Sequence, residues 1–300
     1  MRQLIIIYSA LFLLVANLSA ERWVRGALTL HEATAGVTLR EIGQGIVPSA
    51  EGQMPVSISG LVDCVAEHDA SAFFSFSNRS YLYFEGDGSF AVERFEQIMP
   101  DPEAWENEAG EVSQSRMILN FRSGFLVVDG RNMMDFSQCL VETPLGRLTV
   151  RNALWQMEIS FDPRSQIFDF TINCSDGRVR FTDLQGQQYT LRAGQRLAGA
   201  GVRQAPSIEV GEKTDRFQEQ MERFQVLSDT HLSAANDWTL YVNHLEAVEQ
   251  ASRQASMAPV PPSADSTRRP IVIEYASEPD PVTPFRAEAK PPSTTQVDLF

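Results

Sequence analysis

Between about residues 24 and 205 the chain alternates apolar and polar positions in short runs, broken by turn residues. Ala72-Phe73-Phe74-Ser75-Phe76 is rich in strand formers and stops at Ser77-Asn78-Arg79-Ser80. Tyr81-Leu82-Tyr83-Phe84 follows, with Glu85-Gly86-Asp87-Gly88 reading as a turn. Ser89 to Phe95 then alternates with period two, the pattern of a half-buried strand. Further strands are predicted at 117–121, 124–128, 139–143, 147–150, 155–159 and 167–172. Arg178-Val179-Arg180-Phe181 and Tyr189-Thr190-Leu191 continue the series. Asp129-Gly130 carries the dipeptide of a hairpin turn, and Asp162-Pro163-Arg164-Ser165 separates two runs. The acidic interruption from Asp101 to Glu108 reads as an exposed loop. Strands at this regular spacing predict a mainly β domain, a sandwich, roll or short solenoid, rather than βαβ units.

The pattern changes after Gly211. Residues 212–257 contain no Gly or Pro, and Phe217, Met221, Phe224 and Leu227 recur at helical spacing. Leu232, Ala235, Trp238, Val242, Leu245 and Val248 extend the stripe. Ser228-Asp229-Thr230 is placed to cap a second helix and divide the region in two. The stripe predicts either packing on the β domain or a self-pairing, coiled-coil-like surface. Packing is the expectation, because an exposed stripe with two Phe is a liability in a soluble protein. From about Ala258 to Phe300 the chain is rich in Pro, Ser and Thr and cannot bury enough apolar surface to order itself. This predicts a disordered tail, in which Ile271-Val272-Ile273-Glu274-Tyr275 is the one segment able to add as a strand. The organisation is therefore a leader over 1–20, a β domain over 21–205, a helical region over 206–257 and a tail over 258–300.

The leader is read from Arg2, the apolar run Leu4 to Val15, and small residues ending at Ala20. That is the pattern of a secretory signal peptide cleaved before Glu21. The apolar run is too short for a spanning helix, and no later segment suits one. An exported protein, periplasmic or extracellular, is expected.

Formal net charge is −14, which argues against a nucleic-acid partner and against adhesion to an anionic membrane. Cys64, Cys139 and Cys174 are an odd set, so at least one thiol is left over, and whether any two pair is open. Neither they nor His31, His68, His231 and His244 have metal-ligand spacing, so no metal or cofactor is expected. Glu67-His68-Asp69 looks like a triad fragment, but adjacent residues on a strand face opposite ways. Glu106 and Glu108 sit without an apolar pocket to raise a pKa. No enzymatic site is expected, with an uncharacterised hydrolase as the enzymatic alternative.

Four ordered blocks between about residues 35 and 200 resemble the FecR-type extracytoplasmic domain. The first runs from Phe74-Ser75-Phe76-Ser77-Asn78-Arg79-Ser80 to Phe90-Ala91-Val92-Glu93-Arg94-Phe95. The second is Ser115-Arg116-Met117-Ile118-Leu119-Asn120 with Gly124-Phe125-Leu126-Val127. The third is Val141-Glu142-Thr143-Pro144-Leu145-Gly146 followed by Leu148-Thr149-Val150-Arg151-Asn152-Ala153. Gly177-Arg178-Val179-Arg180-Phe181 and Ala193-Gly194-Gln195 complete the set. Thr143, Pro144, Gly146, Arg151 and Asn152 carry the turn motif. Asn152 stands where the family has Gly, as does Arg79 in the first block; Asn tolerates positive φ better than most residues. The resemblance implies a domain type used for signal relay or scaffolding outside the cytoplasm. The functional expectation is an exported, non-enzymatic module binding a protein or glycan, with a self-assembling envelope component as the alternative.

Overall fold

The computed structural model describes residues 22–42, 45–46, 54–58, 61–107, 110–201, 207–211 and 215–235. The leader, residues 236–257 and the tail with its 271–275 segment lie outside the described residues. The early strands are β1 Trp23–Arg25, β2 Leu28–Ala33, β3 Val37–Glu41, β4 Gly45–Ile46, β5 Val56–Ile58, β6 Val62–Ala66 and β7 Ser71–Phe76. Two long strands follow, β8 Tyr81–Ile98 and β9 Ser115–Asp129, with the short helix α1 Pro102–Asn107 between them. Then come β10 Gln138–Thr143, β11 Gly146–Asp162, β12 Ile167–Asp183, β13 Gln188–Arg192, β14 Arg196–Gly201 and β15 Ser207–Gly211. Helix α2, Asp215–Ala235, closes the described chain. The protein is mainly β, and the strands form one continuous sheet.

Four long strands, β8, β9, β11 and β12, bend and pass through two halves of that sheet. In half A they pair in the order β5-β2-β7-β8-β9-β11-β12-β14-β15. In half B the order is β4-β3-β6-β8-β9-β10-β11-β12-β13. The bends fall where the registers slip, between Glu85 and Ser89 on β8 and between Arg151 and Leu154 on β11. Extra residues on one strand of a pair kink it and strengthen its twist. The rings of Phe170 and Phe181, eleven residues apart on β12, lie 5.4 Å from centroid to centroid. An extended strand would separate them by roughly 36 Å, so the halves face each other. Phe76 of half A likewise meets Phe95 of half B edge to face at 5.2 Å. Trp155, Phe84, Phe121 and Phe181 are fully buried in the shared core.

Several expectations are corrected. Glu85-Gly86-Asp87-Gly88 is not a chain reversal but the bulge through which β8 continues. The predicted strands at 117–121 and 124–128 are one strand, bent at Gly124. Asp129-Gly130 does not make a hairpin: the chain crosses over, and β10 pairs parallel to β9, the one parallel ladder among the described strands. The buried Glu111 holds that crossover, its Oε2 accepting from Met134 N at 2.5 Å and from Ser137 Oγ at 2.6 Å. The acidic interruption contains α1 rather than only a loop. Its Trp105 is buried beside Ala27, with the Arg79 guanidinium 5.1 Å over the ring, and that apolar anchor orders the segment. Helix α2 runs unbroken past Ser228-Asp229-Thr230, because Thr230 Oγ1 donates back to Val226 O at 2.7 Å and caps nothing. His68 and Asp69 lie in a turn, not on a strand, so the alternation argument does not apply to them.

Candidate functional site: two unlike outer faces

Each half has an outer face, and the two are used differently. On half A, Phe73, Tyr81, Tyr83, Phe125, Val127 and Leu154 point outward, and α2 lies across them. Phe217 and Phe224 are buried, with Met221 and Leu227 packed beside them. The Phe224 ring sits 6.0 Å from Phe73 and the Phe217 ring 5.6 Å from Phe125. Gln156 Nε2 donates to Phe217 O at 2.9 Å. The predicted stripe is thus committed to the sheet over the described part of the helix. Arg223 stacks over Tyr83 at 5.7 Å and reaches Glu85 at 3.5 Å. Tyr83 OH donates to Glu85 Oε2, and burial pushes the phenol pKa up. At the other end of α2, His231 faces His31 of β2 with ring centroids 5.2 Å apart. His31 Nε2 meets Ser75 Oγ at 2.7 Å, and its Nδ1 is buried without a partner. Desolvation, then the neighbouring His231, lowers the His31 pKa to about 4.

Among the described residues, no helix lies across the outer face of half B. Inward positions of β11 and β12 are Leu148, Val150, Val179 and Phe181; the alternate positions face out. Arg147 lies opposite Thr182, Thr149 opposite Arg180, and Arg151 opposite Arg178. The rows continue onto β13, where Thr182 faces Gln188, Arg180 faces Thr190, and Arg178 faces Arg192. Arg151, Arg178 and Arg192 therefore stand side by side on three adjacent strands, about 5 Å apart at their Cα atoms. All three are exposed, as is Arg180. Among the described residues no carboxylate is within ion-pair reach of these four, whereas Arg147 reaches Glu142 at 3.5 Å and Arg94 reaches Glu96 at 2.7 Å. An open groove of about 610 Å³ runs at one end of this face, lined in part by Thr143, Gly146, Arg147, Thr149, Arg180 and Thr182.

The turn-motif residues divide between two places. Thr143, Pro144 and Gly146 form the β10–β11 hairpin, in which Thr143 Oγ1 accepts from Leu145 N at 3.2 Å and Gly146 N at 3.1 Å. Arg151 and Asn152 lie some 17 Å along β11, at its bulge. Asn152 takes φ 44° and donates from Nδ2 to Asp135 Oδ1 at 2.7 Å. Arg79 likewise takes a positive φ, 59°. Arg151, Arg178 and Arg180 stand in separate sequence blocks that only the strand register brings together. Their signal is the period-two spacing Arg147-x-Thr149-x-Arg151 and Arg178-x-Arg180, with the apolar residues in between.

Other polar clusters have a different character. His68 Nδ1 lies 3.2 Å from Asp87 Oδ1 at the rim of a second groove with Glu85, Ser123 and Glu158. The hydrogen bond to Asp87 raises the His68 pKa, but both side chains are fully solvated. Cys64, Cys139 and Cys174 are all buried and none is in a disulfide, and burial pushes the Cys139 thiol up to about 12. Among the described residues no group of three His, Cys, Asp or Glu side chains is arranged to hold a metal. Among them, too, no helix is long and apolar enough to cross a membrane.

No protein-family model matches the chain, and no curated protein matches it. Among solved structures it is similar to two crystal structures of a "putative anti-sigma factor" from Parabacteroides distasonis ATCC 8503, at 2.50 and 1.65 Å resolution. Sequence identity is 8% to both, with TM-scores of 0.34 and 0.33. The matches cover 51% and 50% of this chain, and it spans only 60% and 59% of those proteins.

Proposed function

We propose that this chain is an exported, non-catalytic interaction module of FecR-like type, and that the open outer face of half B engages a macromolecular partner in the cell envelope. The supporting observation is the asymmetry of the two faces. Helix α2 covers the β7–β8–β9–β11 part of half A with Phe217 and Phe224, while half B presents ordered rows of Arg, Thr and Gln across β11, β12 and β13. Among the described residues, Arg151, Arg178, Arg180 and Arg192 have no carboxylate within ion-pair reach, in a chain of net charge −14. Export rests on the leader pattern of residues 1–20.

Photo-crosslinking tests the reading. A photoreactive residue at Thr149 or Thr190 is expected to capture a discrete partner, protein or glycan, in cells producing the full chain. The same residue at Arg164, in the exposed β11–β12 turn of half A, serves as the control and is expected to capture none. Identical patterns from face and control positions, or no adduct from either face position, would overturn the proposal.

A further inference from the structure

We infer that the open face of half B is a binding site for an acidic polysaccharide, a glycan chain carrying uronate carboxylates; the inference rests on the interaction-module reading and names its partner. Arg151, Arg178 and Arg192 are direct cross-strand neighbours. Like charges placed directly opposite destabilise a sheet, so this row carries a folding cost that a bound anion removes. Arg180 stands on the next outward position of β12, about 7 Å along the strand. The result is a two-dimensional lattice of guanidinium groups rather than a single anion pocket. A lattice suits a flexible polymer whose negative charges recur along its length. Guanidinium is also the cation that binds carboxylate in a two-pronged geometry.

The neighbours choose among polyanions. Thr149 and Thr190 flank Arg180, and Thr182 and Gln188 continue the Arg147 row; they supply short hydroxyl and amide groups that match sugar hydroxyls. Tyr189, the aromatic residue of β13, packs toward the core, so the rows offer no ring on which a nucleic-acid base could stack. Among the described residues the face is a sheet surface with no projecting helix or ribbon to enter a duplex groove.

The test uses the full mature chain with polygalacturonate, neutral dextran and oligodeoxythymidylate as probes. Saturable binding is expected for polygalacturonate alone, weakening steeply between about 50 and about 200 mM salt as released counterions demand. The triple variant Arg151→Gln/Arg178→Gln/Arg192→Gln is expected to keep or raise its melting temperature, lose about tenfold or more in affinity, and show a shallower salt dependence. Arg164→Gln should bind as the parent does. Absence of saturable polygalacturonate binding, equal binding by the triple variant, or tighter binding of the oligonucleotide would each overturn the inference. If it falls while adducts from Thr149 and Thr190 persist, the face binds some other partner and the interaction-module reading stands. If both fail, so does that reading.

Discussion

At the bulge between the halves, the backbones of Asn152 and Gly177 press against each other. Gly177 takes φ 74°, and a Cβ there would lie 2.0 Å from Asn152 O. Both constraints exclude a side chain, so Gly177→Ala is expected to cost at least about 2 kcal/mol in urea denaturation. Asn152 offers the converse case. At φ 44° glycine relieves strain but forfeits the bond to Asp135, so Asn152→Gly should change stability by less than about 1 kcal/mol. Asn152→Val should cost about 1–2 kcal/mol, because a β-branched residue is strained in the left-handed region. Equal stability of the two Asn152 variants would remove the strain argument. Asn152 was legible in the sequence because a motif marked its slot. Its collision partner was not, because only the register of β11 on β12 brings Gly177 beneath it.

Among the contacts of helix α2, one buried Phe and one histidine pair lend themselves to test. Phe224 is fully buried on Phe73, so Phe224→Asp should lower stability by several kcal/mol through an uncompensated charge. Calorimetry of the full chain checks this, and an unchanged melting temperature would mean the helix does not hold the sheet in solution. The histidine contact adds a pH dependence. The folded His31 pKa of about 4 lies below the ordinary 6.5, so the fold favours the neutral ring. This contribution, roughly 3 kcal/mol, is complete above pH 6.5, declines as pH falls through that value, and is gone below about 4. The groups facing it are His231 and, beyond that ring at 3.5 Å, Glu32. His31→Leu is expected to flatten the stability slope between pH 6.5 and 4; an unaltered slope would assign the acid sensitivity elsewhere. The helix itself was plain in the spacing of Phe217, Met221, Phe224 and Leu227. The surface it covers was not, because its acceptor spans β7, β8, β9 and β11, and the direct pairing of β9 with β11 skips β10. Residues 85–88 show the reverse limit: Gly and Asp are turn residues locally, but pairing on both flanks turned them into a bulge.

Across the whole molecule, a single number concealed the most informative surface. Net charge argued against anionic partners, yet charge is distributed by strand register, and register gathered Arg151, Arg178, Arg180 and Arg192 on one face. The mainly β character was legible because period-two runs persist in nearly every strand. The folding of the sheet on itself was not, because the bends depend on which residues slip past one another. Since β8, β9, β11 and β12 each belong to both halves, neither half can unfold alone. Far-ultraviolet and tryptophan signals should therefore melt in one coincident transition, and two separated transitions would contradict the shared-strand account. β9 and β11 pair directly in half A but diverge in half B, and β10 fills the fork, hydrogen-bonded on both sides. It is only six residues long, with Cys139 and Val141 buried. Its amides can meet solvent only when the fork itself opens. In deuterium-exchange experiments this short strand should rank among the last to take up label, later than β2, which is equally long at six residues but lies outside the fork, so that the time a backbone proton persists follows place in the fork rather than length.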